Sequence, residues 1–250
     1  MILDNFSLKG KVAIVTGSNA GLGQGICRAF VEAGALVAGV SRRPSTETAQ
    51  MLGAGFHNII ADLSSSSVAD GIIAQTVNRF GRVDILVNNA GLIKRCDSLD
   101  FSEEDWDSVL NVNLKTAFFL SQSAAKQFIK QGTGGKIINI ASMLSYQGGV
   151  RVPSYTASKS AIRGVTMTLA NEWARYGINV NAIAPGYMAT NNTEALRQDE
   201  ERSADILARI PAGRWGTPAD LEGAAVFLAS EASDYVNGFT LAVDGGWLGR

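Results

Sequence analysis

At 250 residues with 46% hydrophobic content, the chain is long enough for a large core and short enough to form one α/β domain over 1–250. A formal net charge of −1 with scattered Lys and Arg excludes the electrostatic footprint of a nucleic-acid binder. Cys27, Cys96 and a lone His57 exclude a disulfide framework and the usual His-rich metal clusters, so no metal is expected.

The opening Met1-Ile2-Leu3-Asp4 carries an acid where a signal peptide carries positive charge, and the first apolar run is too short to span a bilayer. The expectation is a cytoplasmic protein with no membrane partner. Lys11 to Thr16 is apolar, Gly17 to Gly25 is rich in glycine, and Leu22, Ile26, Ala29, Phe30 and Ala33 then recur at helical spacing. That pattern predicts strand, turn and helix. Further strands are predicted at Leu36 to Val40, Asn58 to Ala61, Val83 to Val87, Lys136 to Ala141, Ile178 to Ile183 and Thr240 to Val243. Helices are predicted at Val68 to Arg79, Glu103 to Lys130, Tyr155 to Tyr176 and Pro218 to Leu228. Apolar strands separated by helices predict a parallel sheet covered on both faces, a single-domain doubly wound α/β architecture. The polar stretch Gly186 to Pro211 follows a strand end and is expected to cover the site as a mobile cap.

Thr16-Gly17-Ser18-Asn19-Ala20-Gly21-Leu22-Gly23 lies between the first strand and the first helix. Gly17, Gly21 and Gly23 let bare backbone approach a pyrophosphate, which the helix N-terminus stabilises, and Ser18, Asn19 and Leu22 belong to the same turn. Asn88-Asn89-Ala90-Gly91 ends the fourth strand, where an open α/β sheet offers its ligand crevice, and Asp62 after the third strand can accept from an adenine amino group. An NAD site places an acid about 20 residues on, whereas an Arg suits the 2′-phosphate of NADP. Ser41-Arg42-Arg43 follows the second strand with no acid before Glu47, which leans toward NADP; the other reading is a solvated loop.

Tyr155 and Lys159 stand at i, i+4 spacing, so on a helix both emerge on one face. A free phenol has a pKa of about 10, and an ammonium about 4 Å away at an effective dielectric of about 20 favours the phenolate by roughly 4 kcal/mol. Tyr155 is therefore the expected proton-transfer residue, with Lys159 lowering its pKa. Ser142 follows the predicted strand ending at Ala141, where its hydroxyl can bond the reacting oxygen. Asn113 is an amide in an otherwise apolar helical stretch and needs a polar partner, such as a water feeding protons to Lys159.

With these motifs in order, the chain resembles the short-chain dehydrogenase/reductase family over essentially its whole length. The resemblance implies a Rossmann-type sheet, a homotetramer, and a tetrad of Asn113, Ser142, Tyr155 and Lys159. It adds Leu63, Asn89, Ala90, Gly91, Pro185, Gly186, Met188 and Thr190 to the cofactor site. The runs Ile138 to Met143, Gly148-Gly149 with Arg151-Val152-Pro153, Gly186 to Thr193 and Ile210 to Gly216 are similar to a branch acting on deoxy sugar acids in pectin or uronate breakdown, usually with NAD. NAD and NADP both stay open. An acid substrate needs a cation: Arg151, four residues before Tyr155, is the first candidate, with Lys94 and Arg95 as alternatives. Gln147 and Tyr187 are candidates for sugar hydroxyls. Competing readings are an NADPH-dependent reductase of an unsaturated uronate or a 3-ketoacyl thioester, and a non-catalytic nucleotide-sensing protein.

Overall fold

The structure, a computed structural model, describes residues 1–250. Its first strand, β1 (Val12–Thr16), is buried at every position, which requires cover on both faces. β2 (Leu36–Ser41), β3 (Phe56–Ile60), β4 (Ile85–Asn88), β5 (Gly135–Ile140), β6 (Ile178–Pro185) and β7 (Thr240–Val243) join it in one seven-stranded sheet of order β3-β2-β1-β4-β5-β6-β7. Every pairing is parallel. The order reverses between β1 and β4, so a crevice opens beyond their carboxyl ends.

Two cores of 19 buried residues each lie against the sheet. One gathers Ala13, Val15 and Val37 with Ile26 and Phe30 of α1 (Gly21–Glu32) and Leu221 and Leu228 of α9 (Pro218–Ala229). The other gathers Ile14 and Val40 with Ile72 of α3 (Ala69–Phe80), Leu120 and Phe128 of α5 (Ala117–Gln131) and Leu169 of α6 (Pro153–Trp173). Neighbouring residues of β1 thus face opposite cores, as the two-residue period of a strand dictates. Each fully buried Phe or Leu contributes roughly 1.5–3 kcal/mol. The expected doubly wound α/β fold is the observed one.

Several boundaries differ. β3 begins at Phe56, two residues before the predicted start. α2 (Thr46–Leu52) has no predicted counterpart, because a seven-residue helix with only Thr48 buried shows no apolar stripe. The predicted helix from Glu103 to Lys130 is three pieces: α4 (Glu103–Leu110), a π-helical turn at Asn111–Thr116, and α5. The stretch after β6 holds two exposed helices, α7 (Glu194–Gln198) and α8 (Glu200–Arg209), with Ile206 the only buried residue in either. No helix is long and apolar enough to cross a membrane.

Candidate active site

Chain geometry alone builds the turn between β1 and α1. Gly17 and Gly21 adopt φ of +71° and +56°, a region costly for side chains, and a Cβ on Gly23 would lie 2.1 Å from the Gly17 carbonyl oxygen. Thr16 Oγ1 accepts from the Asn89 and Ala90 amides, both at 2.9 Å, while Asn89 Nδ2 donates to the Thr16 carbonyl at 2.8 Å. The glycine turn and the end of β4 are thereby fastened edge to edge. Ala20, the N-cap of α1, has no side chain to cap it, so the helix amides stay open to an anion.

A cleft of about 310 Å3 runs from this turn to α6. Asn19 and Leu22 line one wall, Ala90 and Gly91 the floor, Tyr155 and Lys159 the far end, and Thr190 and Asn192 the opposite lip. The narrow glycine cradle and the uncapped helix end fit a dinucleotide pyrophosphate. A larger cavity of about 710 Å3, between α5 and α6, contains none of these residues and is lined by Phe118, Ile129, Trp173 and Tyr176 among others.

At the far end, the Ser142 hydroxyl accepts from the Leu144 amide at 3.1 Å and lies beside the Tyr155 phenol. The Lys159 ammonium donates to the Ile140 carbonyl at 2.5 Å and stands 5.6 Å from the centre of the Tyr155 ring. Burial lowers the Lys159 pKa to about 8. Burial also pushes the Tyr155 phenol above its ordinary value, against the neighbouring Ser142 hydroxyl and the field of Arg95, which both lower it. This departs from the expectation that Lys159 depresses the phenol. In the protein alone the Lys159 ammonium is directed at a carbonyl, and the field of Arg95 is a second, smaller cationic influence on the phenol. Sequence reasoning weighed Arg95 only as a carboxylate partner, since its neighbourhood to Tyr155 is a product of folding.

Asn113 sits in the π-helical turn and is buried. Its Oδ1 accepts from the Leu92 amide at 2.8 Å, and its Nδ2 donates to the Leu92 carbonyl at 3.0 Å and to Ser158 Oγ at 3.1 Å. Both ends of the amide are engaged, so the side chain fastens the loop after β4 to α6; the expected role of holding a water gains no support from it.

The remaining predicted residues divide. Ser18 and Ser41 are buried, with hydroxyls turned toward Ser45 at 3.0 and 2.9 Å rather than into the cleft. Arg42 and Arg43 are exposed at the end of β2 and pair with no acid. Asp62 is exposed and accepts from the Ser64 amide at 3.0 Å, which with the nearby Arg42 holds its carboxyl below the usual range. Leu63 packs in the core beside Ile14, and Pro185 and Met188 are buried, Met188 against Gly216. Gly186 touches Asp244 closely enough that a Cβ would clash at 2.7 Å.

Among the cations weighed for a carboxylate, Lys94 pairs with Asp105 at 2.8 Å and Arg151 with Asp97 at 3.3 Å. Arg95 has no acidic partner and reaches over the cleft to the Asn192 carbonyl at 3.0 Å. Gln147 makes no side-chain bond and is half-buried, and Tyr187 is sandwiched edge-on by Trp215 and Trp247.

The sequence matches a family described as Enoyl-(Acyl carrier protein) reductase over residues 17–248. It is 62% identical over the full length of both chains to 2-dehydro-3-deoxy-D-gluconate 5-dehydrogenase of Escherichia coli (strain K12). The chain belongs to the short-chain dehydrogenase/reductase family. It is accordingly an NAD(P)-dependent oxidoreductase. The enzyme of the same description from Dickeya dadantii (strain 3937) is 61% identical, again over both full lengths. Among solved structures, a putative 2-deoxy-d-gluconate 3-dehydrogenase from Agrobacterium tumefaciens with bound NADP is 53% identical, with a TM-score of 0.94 over 98% of this chain and 99% of that one.

Proposed function

We propose that this family member moves a hydride between a nicotinamide cofactor and a deoxy sugar acid of the 2-dehydro-3-deoxy-D-gluconate type, with NADP preferred over NAD. The observation that carries the reaction class is the placing of Tyr155 and Lys159 at the end of a glycine-cradled cleft, with Ser142 beside the phenol. The full-length likeness to the two sugar-acid dehydrogenases supports the substrate class. The cofactor preference rests on Arg42 and Arg43, two exposed guanidiniums in no salt bridge where a 2′-phosphate would lie.

A nicotinamide held in the cleft would supply the hydride or take it up. Gly17, Gly21, Gly23 and the first amides of α1 would hold its pyrophosphate. The Ser142 hydroxyl holds the substrate oxygen, and the phenol of Tyr155 passes its proton to that oxygen or takes it back. Lys159 sets the charge beside Tyr155, and Arg95 meets the substrate carboxylate from across the cleft. α7 and α8 form the cap over the sugar acid, loosely seated through Ile206.

Initial rates at 340 nm with 2-dehydro-3-deoxy-D-gluconate, taken in parallel with the NADP and NAD couples, test this reading. A faster rate with the NADP couple is expected. An equal or faster NAD rate removes Arg42 and Arg43 from cofactor choice, and no rate with either removes the sugar-acid assignment. The homotetramer is proposed on the family likeness and on exposed apolar side chains of α5 and α6, among them Phe119, Ile129 and Met167. Sedimentation velocity checks it, and a monomer would discard it.

A further inference from the structure

A run of buried hydroxyls lies behind the exposed arginines at the end of β2. Ser45 is the N-cap of α2, yet its hydroxyl does not cap the helix. It turns inward instead, to Ser18 at 3.0 Å in the glycine turn and to Ser41 at 2.9 Å at the end of β2. Ser41 Oγ in turn donates to the Arg43 carbonyl at 2.6 Å, and Thr48 of α2 donates to the Ser18 carbonyl at 2.8 Å. Ser18, Ser41, Ser45 and Thr48 are all buried, so each bond is expensive to leave unmade.

One residue on β3 gathers this run. Asn58 lies opposite Gly39 in the parallel register, and its Nδ2 donates to the Gly39 carbonyl at 2.9 Å and to Ser41 Oγ at 3.2 Å. Its Oδ1 accepts from the Ser45 amide at 2.9 Å. The loop of Arg42, Arg43 and Pro44 is therefore clamped at both ends, by Ser41 and Ser45, to a single amide. Gly39 is required for the clamp: a Cβ there would lie 2.3 Å from the Phe56 ring and 2.7 Å from Ser18 Oγ.

We propose that Asn58 is a positioning residue for the cofactor's 2′-phosphate, holding the Arg42-Arg43 loop through Ser41 and Ser45 in the shape that presents its guanidiniums. The inference rests on the NADP reading and deepens it. Every member of the network is uncharged, so the clamp fixes the arginines without adding an acid that would repel a phosphate or favour a free ribose. A loop cut free of the clamp still carries both charges but samples many shapes, and the loss falls on the phosphate alone.

The test is the dissociation constants of NADPH and NADH, by quenching of tryptophan fluorescence, for the wild-type protein, Asn58→Ala and Ser41→Ala, with the Tm of each. Wild type is expected to prefer NADPH. Asn58→Ala should weaken NADPH by about tenfold, the scale of one charge-assisted contact, and NADH by less than about twofold. Wild type binding both cofactors equally overturns the NADP reading and the role of Asn58 with it. Wild type preferring NADPH, with Asn58→Ala weakening both cofactors alike, overturns the role of Asn58 alone, since a merely structural amide would do that. Ser41→Ala removes the hydroxyl that accepts from Asn58 Nδ2 and donates to the Arg43 carbonyl, so if Asn58→Ala fails to fold, its NADPH-to-NADH ratio decides in the same way.

Discussion

The two ends of the cleft are made of different materials. At the nucleotide end the turn between β1 and α1 is defined by backbone conformation, by the absence of side chains at Gly17 and Gly23, and by bonds from Asn89 and Thr16 into the main chain. At the substrate end the walls are side chains on loops: Arg95 reaching to Asn192, Arg151 leaning on Asp97, and Tyr187 between two tryptophans. A site built on strand ends and helix termini accepts one shape, whereas loop side chains can be exchanged without disturbing the sheet. The difference separates an unvarying task, holding a pyrophosphate, from one that must change with the substrate.

The largest expected effect lies where the two ends meet. Tyr155→Phe should cut kcat by about a thousandfold, the scale of a lost proton-transfer group, and leave the NADPH dissociation constant within about twofold. Unchanged kcat would remove Tyr155 from the chemistry. Next, Gly23→Ala attacks the backbone-built end: it forces a methyl against the Gly17 carbonyl and should weaken NADPH and NADH together, by about a hundredfold. A Gly23→Ala enzyme with ordinary cofactor affinity would show that the turn adapts, and the contrast with the loops would fall. On the side-chain end, Arg95→Ala should raise KM for the sugar acid by about tenfold with cofactor affinity kept, and Arg151→Ala, whose guanidinium already has Asp97, by less. The reverse order in steady-state kinetics would return the carboxylate to Arg151.

The smallest effect concerns Lys159 and is one of stability. Burial holds its pKa at about 8 in the folded chain, below the ordinary lysine value, so folding pays a penalty for the charge below that pH and is relieved of it as pH rises. Lys159→Met should therefore raise Tm by a few degrees at pH 7. Its advantage over wild type should shrink by pH 9.5; a gap that is constant with pH would mean the ammonium is well solvated in the fold.

Legibility followed the same division. The seven strands, the glycine turn and the Tyr155/Lys159 pair are local patterns with fixed periods, and each can be read from a window of a few residues. Arg95 acting on Tyr155 joins two residues sixty positions apart in the chain through nothing but the fold. Ser18 and Ser41, read as cofactor contacts, turned inward because buried hydroxyls satisfy one another before they face solvent. Asn58 carried no signal at all: an Asn in an edge strand looks like a surface residue until Ser45 comes to lie against it. α2 was invisible for want of an apolar face.

The π-helical turn at Asn111–Thr116 holds one residue more than the same turn of a continuous α-helix would. Deleting a single residue between Leu110 and Ala117 would heal α4 and α5 into one rod. Each residue advances an α-helix by about 100°, so the healed rod would swing Asn113 away from Leu92 and Ser158 while keeping every buried apolar residue of α5 in register. Such a length variant would lose the brace between the β4 loop and α6 and turn Val109 of α4 out of its buried place, so the extra residue is what lets α4 and α5 each pack on its own face.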